Sequence, residues 1–146
     1  MPTSKRLSEK RLIRLTPMTG ERVLLDTNVV IRHFRKLGEL NDVFADHDLY
    51  LPQVALGELY AGAEKSVRPE HHHRLIQSFL PSVTVLASNH ETTRRYGRLW
   101  AEVARAGSMI PLNDVWIAAL ALQHQLPLAS HDTHFENIAD LRVYWW

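Results

Sequence analysis

The feature that most constrains the fold is a regular alternation between short apolar runs and longer segments with helical periodicity. Strand-like runs of three to five residues occur at 22–25, 49–51, 83–86, 127–129 and 141–145. The segments between them place apolar residues three to five positions apart, as Val29, Val30 and Phe34 do after the first run. Strands that alternate with helices predict a parallel sheet covered on both faces, because parallel strands need crossover connections. The sequence therefore predicts an α/β fold.

Capping residues mark the ends of the predicted helices. Pro52 is placed in the first turn of one helix, where its missing N–H is tolerated. Either Ser88 or Asn89 is expected to cap a later helix, and Asn113 is expected to cap the helix that begins at Asp114. The predicted helices cover residues 28–36, 40–44, 52–64, 69–80, 90–105 and 114–124.

Length and composition narrow the class of protein. A chain of 146 residues fits one domain, and 45% hydrophobic with 23% charged residues is ordinary for a globular protein. No apolar stretch approaches the ~20 residues that span a membrane, and the start lacks the pattern of a secretory signal. The absence of cysteine excludes disulfides, thiolate catalysis and cysteine-based zinc sites. These features predict a cytoplasmic protein that makes no use of a membrane.

The net charge of +1 is unevenly distributed along the chain. Residues 1–17 carry five cationic side chains and one acidic side chain, a net of +4, which leaves −3 for the remainder. A basic arm attracts a polyanion at long range, whereas a solvated leader is the more ordinary interpretation. We predict a basic, flexible arm over residues 1–20 and one folded domain over 21–146.

Four acidic residues border or interrupt apolar segments. Asp26 and Asp132 follow the first and fourth predicted strands, Asp114 opens the apolar run 115–122, and Glu58 lies among apolar helix residues. Taken singly, each has an ordinary explanation as a turn, cap or surface residue. A carboxylate beside a core is nevertheless costly unless something compensates it, and the ends of parallel strands converge on one crevice. The sequence therefore predicts that the four acids meet in one site.

The chemistry of such a site follows from the repulsion between its carboxylates. Two carboxylates roughly 4 Å apart repel by about 4 kcal/mol at an effective dielectric constant near 20. Without a cation some of them would bind protons, whereas Mg²⁺ or Mn²⁺ would keep them ionised. Asn28 and Ser130 are short polar residues expected to support the acids, with turn formation as the alternative role. The pattern predicts a metal-dependent site that cleaves phosphodiesters, and it leaves open whether one or two ions bind.

Four sequence blocks extend this interpretation. They are LLDTNVVIRHF at 24–34, LGELYAG at 56–62, NDVWIAALAL at 113–122 and LASHDTHFENI at 128–138. In this order they resemble PIN-domain nucleases, and more narrowly the VapC-like toxins of toxin–antitoxin pairs. The resemblance spans about residues 21–146, which identifies that range as a nuclease domain. It implies a three-layer α/β/α sandwich with a short central parallel sheet.

The resemblance also implies roles for individual residues and partners. The catalytic residues, which are also the ligands of Mg²⁺ or Mn²⁺, would be Asp26, Glu58, Asp114 and Asp132. Asn28 and Ser130 match supporting polar positions. The activity implied is that of an endoribonuclease acting on RNA, with homodimerisation and inhibition by a small antitoxin protein. The basic arm is a departure, because family members commonly begin close to the first strand.

Two other functions fit parts of the sequence. A catalytically weak module that binds RNA or a partner through the same groove would have no need of four acids. A phosphotransferase with Asp26 as nucleophile usually has a second aspartate two residues on, where this chain has Asn28. It also needs a distal lysine, and no lysine follows Lys65. The nuclease hypothesis is therefore preferred.

Basic and aromatic side chains give weaker signals. Candidates for phosphate binding, most of them expected to be solvated, are Arg32, His33, Arg94, Arg95, His131 and His134. The histidine run 71–73 is expected to be a solvated helix surface, since consecutive helix residues do not share a face. The apolar end 144–146 is expected to pack against the sheet, with a dimer or antitoxin contact as the alternative.

Overall fold

Most of the predicted domain is described by the computed structural model, which covers residues 20–36, 40 and 44–145. The basic arm predicted over residues 1–20 therefore lies outside the described residues, except for Gly20. The interior of the short helix predicted at 40–44 and the last residue, Trp146, lie outside them as well. Within the described part of the chain, no helix has the length and hydropathy needed to cross a membrane.

Five strands form one parallel sheet, as the alternating sequence pattern predicted. The strands are Arg22–Leu25 (β1), Asp48–Pro52 (β2), Thr84–Leu86 (β3), Leu128–Ser130 (β4) and Val143–Trp145 (β5). Their order across the sheet is β3-β2-β1-β4-β5, and every neighbouring pair is parallel. Strand β1 from Val23 onward, strand β4 and the Leu51–Pro52 end of β2 are buried on both faces, as expected where helices cover a parallel sheet.

The described residues form five α-helices. They are Thr27–Phe34 (α1), Gln53–Lys65 (α2), Pro69–Phe79 (α3), His90–Arg105 (α4) and Leu112–His124 (α5). Helix α2 packs against α1 and α3, and α4 packs against α5. By the right-handed rule for parallel crossovers, the first three helices lie on one face of the sheet and the last two on the other, because the chain turns toward β3 first and toward β5 later. The predicted three-layer α/β/α sandwich is confirmed.

Several predicted boundaries were wrong by one to two residues. Helix α5 begins at Leu112, so Asn113 lies inside its first turn and is not the cap. The cap position belongs to Pro111, whose extended backbone lets its carbonyl accept the amides of Asp114 and Val115. Pro52 ends β2 and takes the cap position of α2 instead of lying in its first turn.

The cap of α4 and the end of the chain follow the predictions more closely. Asn89, one of the two candidates, caps α4 through a reciprocal pair of hydrogen bonds with Thr92. Strand β5 begins at Val143, two residues later than predicted. Tyr144 and Trp145 are buried, which confirms the prediction that this apolar segment packs within the fold.

The order of the strands reverses between β1 and β4, and this reversal positions the candidate site. The chain leaves β1 toward one edge of the sheet, and it leaves β4 toward the other edge. A crevice opens at the carboxyl ends of the strands where such a reversal occurs. Asp26 is the first residue after β1, and Ser130 is the last residue of β4. Both residues therefore lie at the mouth of this crevice.

Candidate active site

Asp26 is the most enclosed acid of the site. It caps α1, and it is only 4% exposed. Its Oδ1 accepts a hydrogen bond from the Thr27 amide at 2.8 Å, and its Oδ2 accepts one from the Ser130 hydroxyl at 2.7 Å. Its own amide donates to the carbonyl of Ala129 in β4 at 3.0 Å. These contacts fix both carboxylate oxygens in one orientation at the centre of the crevice.

The Ser130 hydroxyl connects three segments of the site. Besides donating to Asp26, it accepts the Asp132 amide at 3.0 Å and lies 3.5 Å from Nδ2 of Asn28. The other side-chain atom of Asn28, Oδ1, is buried and has no hydrogen-bond partner in the described part of the chain. An oxygen that is buried without a partner is a favourable position for a ligand that accepts an electron pair.

Glu58 reaches the site from α2. Its side chain is half-buried, and its Oε1 accepts a hydrogen bond from the Thr27 hydroxyl at 3.1 Å. Since the amide of Thr27 also donates to Asp26, one residue orients two acids that are far apart in the sequence. Glu58 is thereby directed toward the crevice although apolar residues surround it in the sequence.

Asp114, Asp132 and His134 form the outer part of the site. Asp132 caps the short 3₁₀ helix Thr133–Asn137 by accepting the His134 amide at 3.0 Å. The Nδ1 atom of His134 lies 3.0 Å from Oδ1 of Asp132 and 3.2 Å from Oδ2 of Asp114. The three side chains offer ligand atoms that all lie within 4.8 Å of one another. One imidazole therefore connects the first turn of α5 to the loop after β4.

The pKa values of three of the acids are raised, in part because the acids lie close to one another. Burial is the largest cause that raises the pKa of Asp26 to about 7, the hydrogen bond from Ser130 opposes it, and the charges of Asp114 and Glu58 add to the rise. Burial also raises the pKa of Glu58 and of Asp114, with further contributions from the charges of Asp114 and Asp132 respectively. Each of the four carboxylates is thus coupled to at least one other in a single cluster.

The donor atoms of this cluster fit a hard divalent cation. Four carboxylates and the partnerless amide oxygen of Asn28 supply only oxygen, which Mg²⁺ and Mn²⁺ prefer. A cation would also remove the charge repulsion that raises the pKa of Asp26 and its neighbours. The residues present therefore suit such an ion, and His134 adds one nitrogen at the outer edge.

Hydrogen bonds and charge interactions link the residues that the sequence suggested for the site, but among the described residues only Asp114, Asp132 and His134 form a group whose ligand atoms all lie within 4.8 Å of one another. Asp26 and Ser130 are its buried residues, the half-buried Asn28 adds a buried Oδ1, and Glu58, Asp114 and Asp132 surround them. The bridging position of His134 could not be predicted in detail, because it depends on a contact across 20 residues of sequence. The only available signal was its place two residues after Asp132.

The basic side chains considered for phosphate binding fall into two groups, one on the surface of α4 and one beside Asn28. Arg94 and Arg95 pair with Glu91 within α4, which leaves them as solvated helix residues. Arg32 and His131 instead line a cavity of about 470 Å³ beside Asn28. Arg35, which the sequence analysis did not single out, lines the same cavity. Its signal in the sequence was a position seven residues after Asn28, on the same helix face.

This geometry agrees with comparisons to known proteins. A sequence model of the PIN domain matches residues 23–141, a range that contains all four acids. The chain belongs to the PIN domain family. Its fold is thereby that of a known family of domains.

Individual PIN-domain relatives are similar over nearly their whole length. This PIN domain is 33% identical to ribonuclease VapC2 of Haemophilus influenzae over 129 residues, which cover 84% of the chain and 96% of the relative. It is 31% identical over 127 residues to the tRNA(fMet)-specific endonuclease VapC of Shigella flexneri, with the same coverage of both chains. Full-length similarity at this level places the PIN domain in the VapC family.

A solved structure supports the same conclusion. VapBC-1 from nontypeable Haemophilus influenzae superposes with a TM-score of 0.77 and 27% identity, and the match covers 86% of this chain and 98% of the VapBC-1 chain. VapBC2 from Rickettsia felis, bound to a DNA fragment from its promoter, gives a TM-score of 0.79 at 24% identity and shows the likeness of fold alone.

Proposed function

We propose that the protein is an endoribonuclease toxin that hydrolyses RNA phosphodiester bonds with the help of Mg²⁺ or Mn²⁺. The observation that carries this proposal is the coupled cluster of Asp26, Glu58, Asp114 and Asp132 at the reversal of strand order. Membership of the PIN domain family and similarity to VapC ribonucleases support the same reaction class. A binding-only protein would have no reason to bury a carboxylate such as Asp26 against others of like charge.

In this proposal, each residue has a defined task. Asp26, Glu58, Asp114 and Asp132 hold the cation, and Asn28 Oδ1 is available as a further oxygen donor. When bound, a divalent cation supplies a Lewis acid that lowers the pKa of water and offsets charge on the phosphate.

The remaining residues keep the acids in place. Ser130 fixes the orientation of Asp26, and Thr27 fixes that of Glu58. His134 holds Asp114 and Asp132 close to each other. Orientation of this kind lowers the barrier because the acids need not reorganise during the reaction.

The proposed reaction consumes one water molecule for each bond cleaved. The oxygen of water forms a bond to phosphorus as the bond between phosphorus and the 3′ oxygen breaks. The 3′ oxygen takes up a proton and leaves as a hydroxyl, and the phosphate stays on the 5′ carbon of the next nucleotide. The surrounding carboxylates serve as acceptors for the proton that water releases.

We further propose that a small antitoxin protein inhibits the enzyme, that the chain forms a homodimer and that it acts in the cytoplasm. The antitoxin is supported by the solved relative described as VapBC-1, whose name pairs two components. The homodimer and the cytoplasmic location are supported by the resemblance to VapC-like toxins, and the location also by the lack of cysteine in the sequence.

The direct test is cleavage of labelled total RNA by antitoxin-free protein with Mg²⁺, with Mn²⁺ or with a chelator. We expect discrete fragments that require a cation and disappear in Asp26→Asn. Asp46→Asn is the matched control, because Asp46 is exposed and precedes the amino end of β2, whereas the acids lie at the carboxyl ends of the strands. Binding of cation and RNA without any cleavage would instead support the catalytically weak binding module.

A further inference from the structure

We infer that the cavity lined by Asn28, Arg32, Arg35 and His131 binds two successive backbone phosphates of an RNA strand, next to the phosphate that is cleaved. This inference rests on the proposed nuclease function and assigns a strand-positioning subsite to the protein. The cavity has a volume of about 470 Å³, and Ile31 completes its lining. None of the described residues that line it is acidic, although four carboxylates lie beside it.

Asn28 connects this basic cavity to the cluster of acids. Its side chain lines the cavity, and its Nδ2 lies 3.5 Å from the Ser130 hydroxyl that donates to Asp26. A phosphate in contact with Asn28 would therefore be separated from Asp26 only by the side chains of Asn28 and Ser130. Because RNA is a continuous polyanion, a strand cleaved at the acids must place its neighbouring phosphates on adjoining surface.

The spacing of the two arginines along α1 suits successive positions on a strand. From Asn28, the helix rises by about 6 Å to Arg32 and by about 10 Å to Arg35. The three positions share one face of the helix, since they are four and seven residues apart. Along this face, the amide of Asn28 lies nearest to the acid cluster, and the guanidinium groups of Arg32 and Arg35 follow farther from it.

The charge of this face favours a phosphate backbone over other ligands. Guanidinium groups present forked donors that match phosphate oxygens, and His131 adds a further polar side chain from the residue after β4. Arg35 also lines the adjoining cavity of about 250 Å³, but there it shares the lining with Glu58 and with apolar residues such as Leu59 and Ile76. A polyanion leaving the acids therefore meets two arginines and no acid among the described lining residues of the first cavity, whereas Glu58 opposes it in the second.

The two arginines could instead serve only to stabilise the carboxyl end of α1, and this simpler role also predicts a measurable outcome. Arg32 lies in the last turn of α1, and Arg35 caps it, where positive charge stabilises any helix. Arg105 lies in the last turn of α4, as Arg32 does in α1, and Arg98 lies two turns earlier on that helix. The double variant Arg98→Gln with Arg105→Gln therefore removes the same charge from a helix outside the site.

Binding is tested in the Asp26→Asn protein, so that RNA is held without being cleaved. The probe is a short fluorescein-labelled single-stranded RNA, and its anisotropy is followed with Mg²⁺ present over a series of KCl concentrations. Changing Arg32 and Arg35 to glutamine should weaken binding about tenfold and lower the slope of log K against log salt by about 1.4, or ~0.7 for each phosphate contact. Changing both to lysine should retain most of the slope.

Equal losses in the Arg98 and Arg105 control, or an unchanged slope in the Arg32 and Arg35 variant, would overturn the inference. A loss of binding to poly-glutamate with no loss of binding to RNA would also overturn it, and would favour an acidic protein segment as the ligand. Thermal unfolding of each variant shows whether the helix itself is intact.

Cleavage by the protein with Asp26 intact separates this inference from the proposed function. If RNA is cleaved, the glutamine variants should raise KM about tenfold and change kcat by less than about twofold, because a distant phosphate contact contributes equally to ground and transition states. A lower kcat at constant KM would contradict the subsite. If no RNA is cleaved by any form, the nuclease function fails, while the salt slopes still decide whether the cavity binds phosphate.

Discussion

The inner and outer parts of the site differ in how firmly they hold their carboxylates. Asp26 is 4% exposed and accepts hydrogen bonds at both oxygens from the backbone of α1 and from β4. The side chains of Asp114, Asp132 and His134 are 13%, 30% and 44% exposed, and they contact one another. The inner part is therefore fixed by the sheet, whereas the outer part depends on a loop and a short 3₁₀ helix.

This contrast assigns different tasks to the two parts. A buried acid that cannot turn away from its neighbours retains the full penalty of burial and repulsion until a cation binds. Exposed acids are relieved by water and salt, and they adapt to what approaches. The inner part should therefore dominate cation binding and catalysis, and the outer part should modulate both.

The largest difference is expected in cleavage. Asp26→Asn should lower the rate of RNA cleavage roughly a thousandfold or more, as loss of a central catalytic group does. Asp132→Asn should lower it only about tenfold, because its position is more exposed and its neighbour His134 remains. Initial rates with labelled RNA at saturating Mg²⁺ measure both, with Asp46→Asn as control. Similar losses in the two variants would remove the distinction between inner and outer parts.

A second difference concerns stability without a cation. The pKa of Asp26 is about 7 in the fold against an ordinary value of 3.8, so the folded protein binds this proton more tightly than the unfolded chain. The stabilisation is complete below about pH 4 and is lost as pH rises through 7, by an amount on the order of 4 kcal/mol. Urea unfolding with a chelator should show this loss, and Asp26→Asn should reduce it.

Addition of Mg²⁺ or Mn²⁺ provides the internal control for that experiment. A ligand that binds only the folded protein raises its stability, so the cation should restore stability above pH 7 in the parent and much less in Asp26→Asn. A parent protein whose stability rises between pH 5 and 8 in the presence of chelator would contradict the assigned burial of Asp26.

A third test weakens the inner part without removing an acid. Ser130→Ala deletes the hydroxyl that donates to Asp26 and accepts the amide of Asp132. Cation affinity should fall about 10- to 100-fold, as it does when a residue that orients a metal ligand is lost. Titration calorimetry with Mn²⁺ measures the change, and Ser130→Thr, which retains a hydroxyl, should bind close to normally. An Ala variant as tight as the parent would show that the hydroxyl is dispensable.

The smallest effect is expected in the outer part. His134→Ala removes the imidazole between Asp114 and Asp132, and the hydrogen bond that lowers the pKa of Asp114 is lost with it. Cation affinity should fall by no more than about tenfold, because a residue this exposed contributes modestly. The same titration provides the measurement, with the exposed His90→Ala as control. A loss of cation affinity as large as that of Ser130→Ala would mean that the outer part contributes as much to cation binding as the inner part does.

The sequence predicted those features that depend on local pattern. Asp26 and Ser130 could be located because they end strands, and parallel strands end at the same edge of the sheet. The start of α5 was wrong because Pro111 takes the cap position through its backbone, whereas Asn113 has only the more familiar capping side chain. Local preference alone does not decide between two neighbouring candidates.

Other features depend on contacts that no local pattern encodes. The hydrogen bond between Thr27 and Glu58 spans 31 residues, and the approach of His134 to Asp114 spans 20. Both depend on how helices pack on the sheet, which the spacing of residues in one segment does not determine. The basic face of α1 is predictable only in part. The spacing of its residues can be read from the local sequence, but its proximity to the acids depends on the tertiary fold.

The hydroxyl of Ser130 also has a consequence for the route by which the chain folds. Strand β4 pairs with β1 so that Ala129 lies opposite Leu25, and only this register puts Ser130 beside Asp26. A slip of one residue would bring Ala129 or His131 to that position and would turn every side chain of β4 to the other face. If the site binds a cation as proposed, its binding during refolding would report when the central strands have reached their native alignment. A chain trapped in a shifted alignment would be compact and yet unable to bind the ion.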